Sequence, residues 1–387
     1  MNLLIIPSWY DTPDNPIRGI FFKEQAQALS EYFKKNNIEA TVTILALQQY
    51  NIREKHLYKG IKKITITEEN GIKTIRARLF HIPKLEEINL RRGAAYLKKL
   101  ILQTEKQLGV SFDLIHIHSV QFSGIWYDLS GLKIPYVITE HSSAFFRNRI
   151  GKTEKKYLPR TFDNAESVIA VGKGLAEKIQ VYSQKKIEVI FNIVKDVPFE
   201  TFEHLERDER FIFFSLGYDI KVKGFDVLLN AFAKFLKNET AILILGGLTK
   251  ESQNVLKNQA EMLGIQDNVI LKGRIPHDDV YKMMKQSSCF VLPSRFETFG
   301  IVLAESMYVG RPVIASRTGG PDSFVTEKTG ILVEPGNEEQ LACALSKMKK
   351  NYSSYNQTEI RQYALDTFSA DIICDKLYNI YKKILDR

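Results

Sequence analysis

The 387-residue sequence has few of the features that would tie a protein to an oxidising compartment or to a bilayer. Its three cysteines, Cys289, Cys343 and Cys374, are far apart, which favours plain packing roles in a reduced protein over disulfides, metal ligation or a catalytic thiol. No apolar run approaches the roughly 18 residues that a spanning helix needs, and the opening MNLLIIPSWYD lacks a basic leader. We therefore expect a soluble, cytoplasmic protein, with peripheral contact at the inner face of a membrane as an open alternative.

Motifs for a bound metal or for reading nucleic acid are also missing. The sequence has no Asp-x-Asp pair and no His/Cys cluster at ligand spacing, so we expect neither a metal nor a cofactor. The 54 Lys and Arg residues exceed the 45 Asp and Glu residues, and the resulting net charge of +9 favours an anionic partner. Because the basic residues are dispersed, we predict no nucleic-acid partner; salt-dependent binding to single or double strands would reopen that alternative.

Short β-rich apolar runs alternate with helical patterns along both halves of the chain, which is typical of α/β domains with parallel sheets. One interruption, Asn70-Gly71 between two β-rich runs, predicts a hairpin. The polar stretch from 193 to 210 predicts a linker. We expect two doubly wound domains, residues 1–192 and residues 193–368, followed by an amphipathic helix over residues 369–387 that closes the chain.

Glycines and cations follow several predicted strands of the second half. Doubly wound sheets bind ligands beyond the carboxyl ends of their strands. Glycine lets backbone N–H groups approach a phosphate, a helix N-terminus offers unpaired donors, and a lysine supplies charge. Glycine also ends many strands for purely structural reasons, so one such loop is ambiguous. In the second half, five such segments follow predicted strands and would meet at one edge of the sheet, and together they favour a nucleotide as the ligand.

The stretch RFETFGIVLAE places a carboxylate on each side of a predicted strand-to-helix junction, at Glu297 and Glu305. If the helix begins near Gly300, its first amides can meet a phosphate. Eight helical residues at 1.5 Å span roughly 12 Å, comparable to the distance from a sugar across a diphosphate to a ribose. The alternative is that Glu297 caps the helix and Glu305 is solvated. The apolar neighbours of Glu305 favour a buried, partnered carboxylate instead.

The segment RFETFGIVLAESMYVGRPVIASRTGGPDSFVTEKTGILVEPGN resembles the signature region of the retaining glycosyltransferases of family 4. These enzymes have the GT-B fold, in which two Rossmann-like domains face each other across a cleft. The resemblance covers nearly the whole chain. It implies a metal-independent transfer of a hexose from a UDP- or GDP-sugar to a glycan or lipid-linked acceptor, in polysaccharide or glycolipid synthesis. It also implies that the terminal helix returns to the first domain.

The resemblance implies roles for individual residues on the donor side. Glu297 would contact the hexose, Glu305 the ribose hydroxyls, and Lys223 the diphosphate, with Lys223 and Glu297 also contributing to catalysis. The other donor-binding residues that it implies are Gly19, Gly217, Arg274, Ile275, Phe299, Gly300 and Ile301. Tyr218 stands where the family has a second cation for the diphosphate, and Lys221 or another basic residue is a candidate substitute.

Histidines at the ends of two predicted strands are candidates in the first domain. By the resemblance, His141 lies on the acceptor side near the primary hydroxyl of the sugar and takes part in catalysis. His118 is a weaker acceptor-side candidate. Because His116 and His118 alternate along LIHIHS, we expect their side chains to point to opposite faces of the sheet, with one of them packed in the core.

Two rival functions and one surface stay open. A sugar-nucleotide epimerase has a related fold, and a nucleic-acid-binding protein would use the positive charge. The most local basic clusters lie at residues 90–100 and 147–160. They indicate either ordinary solvated faces or a surface that docks an anionic membrane or a lipid-diphosphate acceptor.

Overall fold

The computed structural model describes residues 1–12, 18–51, 64–195 and 210–386, and these form two compact units. Unit 1 comprises Met1–Val171, Leu175–Ile193 and Ala370–Arg387, and unit 2 comprises Gly172–Gly174 and Val194–Ser369. Most of the linker that the sequence predicts, over residues 193–210, lies outside the described residues.

Unit 1 is built on an eight-stranded sheet with the order β3-β4-β2-β1-β5-β6-β7-β8. Its strands are β1 Asn2–Pro7, β2 Thr41–Asn51, β3 Ile64–Glu69, β4 Ile72–His81, β5 Leu114–His118, β6 Tyr136–Glu140, β7 Ser167–Ala170 and β8 Glu188–Val189. The first five helices are α1 Ile20–Lys35, α2 Glu86–Leu108, α3 Ile125–Ser130, α4 Lys152–Asn164 and α5 Lys173–Gln180. Every residue of β5 and β6 is buried, because parallel strands with helices on both faces need continuous apolar runs.

The hairpin predicted at Asn70-Gly71 is confirmed. Strands β3 and β4 pair antiparallel, with Glu69 opposite Ile72, while all other described pairs in this sheet are parallel. Asn70 has φ 52° and Gly71 has φ 76°, so both central residues of the turn adopt the positive φ that a type I′ hairpin requires.

Unit 2 has a six-stranded, fully parallel sheet with the order β11-β10-β9-β12-β13-β14. Its strands are β9 Ile212–Leu216, β10 Ile242–Gly246, β11 Val269–Leu271, β12 Cys289–Leu292, β13 Val313–Ser316 and β14 Gly330–Val333. Its helices are α6 Ile220–Lys223, α7 Phe225–Leu236, α8 Lys250–Met262, α9 His277–Gln286, α10 Ile301–Tyr308, α11 Glu338–Lys350 and α12 Gln357–Phe368.

The last helix, α13 (Ala370–Leu385), packs on unit 1. It begins at Ala370 because Ser369 is extended, with ψ 154°, and separates it from α12. Tyr381 anchors it by a hydrogen bond between its hydroxyl and Nδ1 of His116 at 2.6 Å. Two Rossmann-like sheets and a terminal helix that returns to the first unit confirm the expected fold class.

The cysteines are free thiols. Cys289 and Cys374 are buried in the cores of units 2 and 1, as expected for packing roles. Cys343 is exposed on α11, so the packing role expected for it is wrong: helical context alone did not reveal which face of the helix it occupies. Among the helices in the described ranges, none has both the length and the apolar character needed to cross a bilayer.

The contact between α13 and His116 can be tested by Tyr381→Phe. The change removes the hydroxyl and leaves the buried Nδ1 of His116 without that partner, so we expect the free energy of unfolding to fall by about 1–3 kcal/mol. Urea denaturation of both proteins measures the difference. Tyr378→Phe on the same helix is the matched control, because Tyr378 makes ring contacts with Tyr32 and Phe33 that the substitution keeps. Equal losses in the two variants would contradict the expectation.

Candidate functional site

Each sheet has one point at which the strand order reverses. In unit 2 the chain leaves β9 for β10 and β11 on one side and returns to β12 on the other side of β9. In unit 1 the same reversal lies between β1 and β5. Ligands of doubly wound sheets bind beyond the carboxyl ends of the strands at such a point. Each unit therefore contains its own candidate region.

Lys223 and Glu297 meet at the reversal point of unit 2. Lys223 ends α6, just after β9, and Glu297 lies in the loop after β12. The Nζ atom of Lys223 donates to Oε2 of Glu297 at 2.7 Å, and Oγ of Ser294 lies 3.4 Å from the same oxygen. The two side chains are only 19% and 14% exposed, so the pair is partly shielded from water.

Glycines make room for both members of this ion pair. A Cβ atom on Gly217 would lie 2.6 Å from Cγ of Lys223, and one on Gly300 would lie 3.2 Å from Cγ of Glu297. Gly224, next to Lys223, has φ 70°, and a Cβ there would lie 2.1 Å from the carbonyl oxygen of Pro293. The loops can approach this closely only because these positions carry no side chain.

The helix that follows Glu297 begins as the sequence predicts. Gly300 is the N-cap of α10 with φ 91°, and the helix starts at Ile301. No side chain caps it, so Glu297 is not the cap. The first amides of a helix have no acceptor within it and can bind an anion. Phe299 is buried against Phe324 and Phe368, and its backbone nitrogen lies so close to Gly320 that a Cβ there would approach it to 2.7 Å.

Glu305 lies one and a half turns into α10 and is only 6% exposed, so it is not a solvated surface residue. Its Oε1 atom is 3.2 Å from Nε2 of His277, the first residue of α9. The sequence analysis named Arg274 and Ile275, which lie three and two residues before this histidine, but not His277 itself. Within the described ranges, the second oxygen of Glu297 and that of Glu305 have no hydrogen-bond partner, so each carboxylate keeps one oxygen for a ligand.

The remaining donor-side candidates lie around the same edge. Arg274 is exposed in the loop after β11, and the neighbouring Ile275 packs over Gly246, where a Cβ would approach its Cδ1 atom to 2.5 Å. Tyr218 is 75% exposed. It supplies no positive charge where the resemblance led us to expect an arginine.

Two cations near Tyr218 share one carboxylate. Asp226 accepts two hydrogen bonds from Arg295, at 2.8 and 3.1 Å, and one from Lys221 at 2.7 Å. Burial would raise the pKa of Asp226, but these hydrogen bonds outweigh burial and hold the pKa below its usual value. The three groups together keep one positive charge, beside the loop that carries Glu297.

Gly19, His118 and His141 come together in unit 1. Gly19 is the N-cap of α1 with φ 70°, and a Cβ there would lie 2.9 Å from the carbonyl oxygen of Trp9. The ring of Phe22, in the first turn of α1, lies 4.8 Å from that of His118 and 5.1 Å from that of His141, measured between centroids. The helix that Gly19 opens therefore covers both histidines.

The expectation that His116 and His118 point to opposite faces is wrong. Their rings stack with centroids 4.4 Å apart, because side chains two residues apart on a strand share a face and only immediate neighbours alternate. His116 bonds Tyr381 and, through Nε2, the hydroxyl of Thr139 at 2.7 Å. Nδ1 of His118 lies 3.0 Å from Nε2 of His141. The three histidines form one buried cluster.

Burial keeps this cluster neutral. It lowers the pKa of His116 and that of His141 to about 3, and that of His118 well below its usual range. Nε2 of His141 faces His118, and Nδ1 is buried without a well-formed hydrogen bond. The Asn192 side chain is close enough to His141 to oppose the lowering of its pKa by burial. His141 can thus serve as an uncharged donor or acceptor.

Glu140 fixes the turn that carries His141. Its carboxylate accepts hydrogen bonds from the Ser119 hydroxyl at 2.6 Å and from the backbone amides of Val120, His141 and Ser142 at 2.7–2.9 Å. Burial raises the pKa of Glu140, and the four donors oppose that rise. In the part of the chain that the structure describes, no three His, Cys, Asp or Glu side chains gather as a metal site.

Two family models match almost the whole chain. The model described as Glycosyltransferase Family 4 matches residues 26–196, and the model described as Glycosyl transferases group 1 matches residues 196–364. An uncharacterized glycosyltransferase of Methanocaldococcus jannaschii is 30% identical over 283 residues, which cover 71% of this chain and 75% of the relative.

Other relatives match over greater length. The putative teichuronic acid biosynthesis glycosyltransferase TuaC of Bacillus subtilis is 25% identical over 364 residues, which cover 90% of this chain and 89% of the relative. The crystal structure of Anabaena HepE in complex with UDP-glucose superposes with a TM-score of 0.70 at 18% identity, over 99% of this chain and 100% of that one. At this identity the structural match shows the fold.

The neutral histidine cluster predicts how stability depends on pH. Below the ordinary pKa of 6.5 the unfolded chain binds protons at these histidines, while the folded protein does not until about pH 3. The free energy of unfolding should therefore have its full value above pH 6.5 and fall as the pH drops below it. Each histidine contributes up to about 1.4 kcal/mol per pH unit to this fall. Urea denaturation at pH 7.5 and at pH 5.5 measures the slope.

A variant isolates the contribution of the cluster. His118→Asn keeps a polar group near the position of Nδ1 but does not titrate, so its stability should depend less steeply on pH than that of the parent. An unchanged slope in the variant, or a parent equally stable at both pH values, would show that these histidines do not have depressed pKa values.

Proposed function

We propose, since this chain belongs to the retaining glycosyltransferases of family 4, that it transfers a hexose from a UDP- or GDP-sugar to a glycan or lipid-linked acceptor. The observation that carries the donor assignment is the Lys223–Glu297 pair at the strand reversal of unit 2, next to the open N-terminus of α10 and with Glu305 further along that helix. A cation, free amides and two carboxylates are the groups that a sugar diphosphate needs.

On the donor side, Lys223 and the amides at the start of α10 hold the diphosphate. Glu297 accepts hydrogen bonds from the hexose and Glu305 from the ribose. The other donor contacts that we propose come from Gly19, Gly217, Arg274, Ile275, Phe299, Gly300 and Ile301. The net positive charge of Arg295, Lys221 and Asp226 adds to the field at the phosphate, which makes this cluster our candidate for replacing the cation that Tyr218 lacks.

The reaction retains the configuration of the sugar. The bond between the anomeric carbon and the phosphate oxygen breaks, and a bond from the acceptor oxygen to that carbon forms on the same face. The proton of the acceptor hydroxyl passes to an oxygen of the departing diphosphate. Lys223 and the helix amides stabilise the charge that develops on the diphosphate, and Glu297 orients the hexose. His141 contributes a neutral hydrogen bond to the sugar, and His118 lies behind it on the acceptor side.

The acceptor is the less defined substrate. The name of the Bacillus subtilis relative, a putative teichuronic acid biosynthesis enzyme, supports a cell-surface polysaccharide as the product. The UDP-glucose in the Anabaena structure supports a UDP-sugar as the first donor to test. The family models favour a transferase over the sugar-nucleotide epimerase that the sequence left open.

The two basic clusters of unit 1 lie side by side, because the Tyr157 hydroxyl on α4 donates to Glu87 on α2. On α2, Leu102 is 48% exposed one turn from the exposed Lys98 and Lys99, and Ile88, nearer the start of the helix, is also 48% exposed. Apolar side chains among cations suit an anionic membrane surface. We propose peripheral docking there, which would bring a lipid-linked acceptor close to unit 1.

The donor assignment predicts that Lys223→Ala and Glu297→Ala each lower kcat/KM by roughly 100-fold or more, because each removes a group that stabilises or orients the transition state. A thermal-shift panel of nucleoside diphosphates and their sugars first identifies the donor, since a ligand that binds the folded state raises Tm. Transfer or donor hydrolysis is then measured with that donor.

A second ion pair in unit 2 supplies the control. Lys234 and Glu339 lie 2.6 Å apart on α7 and α11, away from the strand reversal. Lys234→Ala and Glu339→Ala should leave kcat/KM within about twofold, because a surface pair contributes little to stability. Folded Lys223→Ala and Glu297→Ala variants that turn over the donor at the parent rate would refute the assignment.

The membrane proposal predicts flotation with liposomes that contain anionic lipid and none with neutral liposomes. Lys98→Glu combined with Lys99→Glu should abolish flotation, because it reverses the charge on the outer face of α2. Lys347→Glu combined with Lys350→Glu changes the net charge equally on α11 of unit 2 and should retain flotation. Failure of the parent to bind either kind of liposome would end the membrane proposal.

A further inference from the structure

The two groups that we assign to different parts of the donor are bound to each other in this structure. Nζ of Lys223, assigned to the diphosphate, donates to Oε2 of Glu297, assigned to the hexose, at 2.7 Å. Within the described residues, the one other hydrogen bond to this oxygen comes from the hydroxyl of Ser294 at 3.4 Å. An incoming phosphate therefore competes with Glu297 for the lysine.

The pair is built into the loops. Gly217 lies beneath the methylene chain of Lys223 and Gly300 beside that of Glu297, and a side chain at either glycine would push the pair out of this position. Both side chains are less than one-fifth exposed, which limits the water that could replace a lost partner. A ligand that draws Lys223 away thus leaves Glu297 poorly compensated.

The consequence differs between two ligands that share the same nucleotide. A nucleoside diphosphate brings negative charge close to Glu297 and takes part of its cation, and it offers no hydroxyl donor there in return. A sugar nucleotide brings the same phosphates, but its hexose hydroxyls donate to Glu297 and replace the hydrogen bond to the lysine. The carboxylate is compensated only when the sugar is present.

We propose that the Lys223–Glu297 pair makes the site discriminate between the sugar nucleotide and the nucleoside diphosphate. This inference rests on the proposed function. The pair disfavours the nucleoside diphosphate, which is the product of transfer, and so promotes its release after the hexose has left. Glu297 is then a specificity-determining residue as well as a contact to the sugar.

Binding measured by calorimetry on the full chain tests the inference with two matched ligand pairs, UDP with UDP-glucose and GDP with GDP-mannose. We expect Glu297→Gln to bind the nucleoside diphosphate about fivefold more tightly than the parent, because the variant removes a negative charge next to the phosphates. The same variant should bind the sugar nucleotide several-fold more weakly, because the hydroxyls lose a charged acceptor. The two affinities move in opposite directions.

Glu305→Gln is the matched control. The ribose is common to both ligands, so this variant should weaken both by the same factor. If Glu297→Gln also changes both affinities by one factor, or binds the nucleoside diphosphate no more tightly than the parent, the inference is overturned while the donor site stands. If the parent binds none of the four ligands, the proposed function falls and the inference with it.

Melting curves without ligand establish that the variants fold. Should Glu297→Gln not fold, Glu297→Ala removes the same charge and is expected to change the affinity for the nucleoside diphosphate in the same direction. An affinity for the nucleoside diphosphate that is unchanged or weaker in this second variant counts against the inference.

Discussion

The ion pair between Lys223 and Glu297 is the interaction on which the candidate site depends. It joins the loops after β9 and β12, the two strands at which the order of the sheet reverses. Bringing two loops that close demands glycine on both sides, and Gly217, Gly224 and Gly300 supply it. The parallel sheet brings the two loops to the same edge, and the glycines let them pack closely. The attraction between Lys223 and Glu297 then links the loops.

The strand reversals of the two units carry different kinds of side chains: charged ion pairs in unit 2 and neutral histidines in unit 1. Unit 2 gathers charges that are partly exposed, namely Lys223 with Glu297 and Arg295 with Asp226, and such pairs can exchange partners with an anionic ligand. Unit 1 buries uncharged imidazoles, and burial keeps His118 and His141 neutral. Exchangeable ion pairs suit the binding of a charged group, whereas a buried neutral imidazole suits a hydrogen bond to an uncharged one.

The sequence was most informative where the signal is local. The hairpin at Asn70-Gly71 and the start of α10 at Ile301 could both be read within a few residues, because turn and helix-start preferences act over that range. The face of the sheet on which His116 and His118 lie was misjudged, although the two-residue strand repeat suffices to find it. The exposure of Cys343 was missed because which face of α11 is covered depends on packing.

The sequence by itself determined the alternation of strands and helices and the glycines at the strand ends. It also determined that one glutamate, Glu297, precedes α10 and that another, Glu305, lies within it. These are properties of short segments, and short segments carry their own backbone preferences. Only the tertiary structure decided which groups become partners: Lys223 and Glu297 are 74 residues apart, Glu305 and His277 are 28 apart, and Tyr381 reaches His116 across 265. Such contacts depend on the order of the strands in the sheet and on the packing of the helices. Neither can be read from short segments of the sequence, because both arise from contacts between residues far apart in the chain.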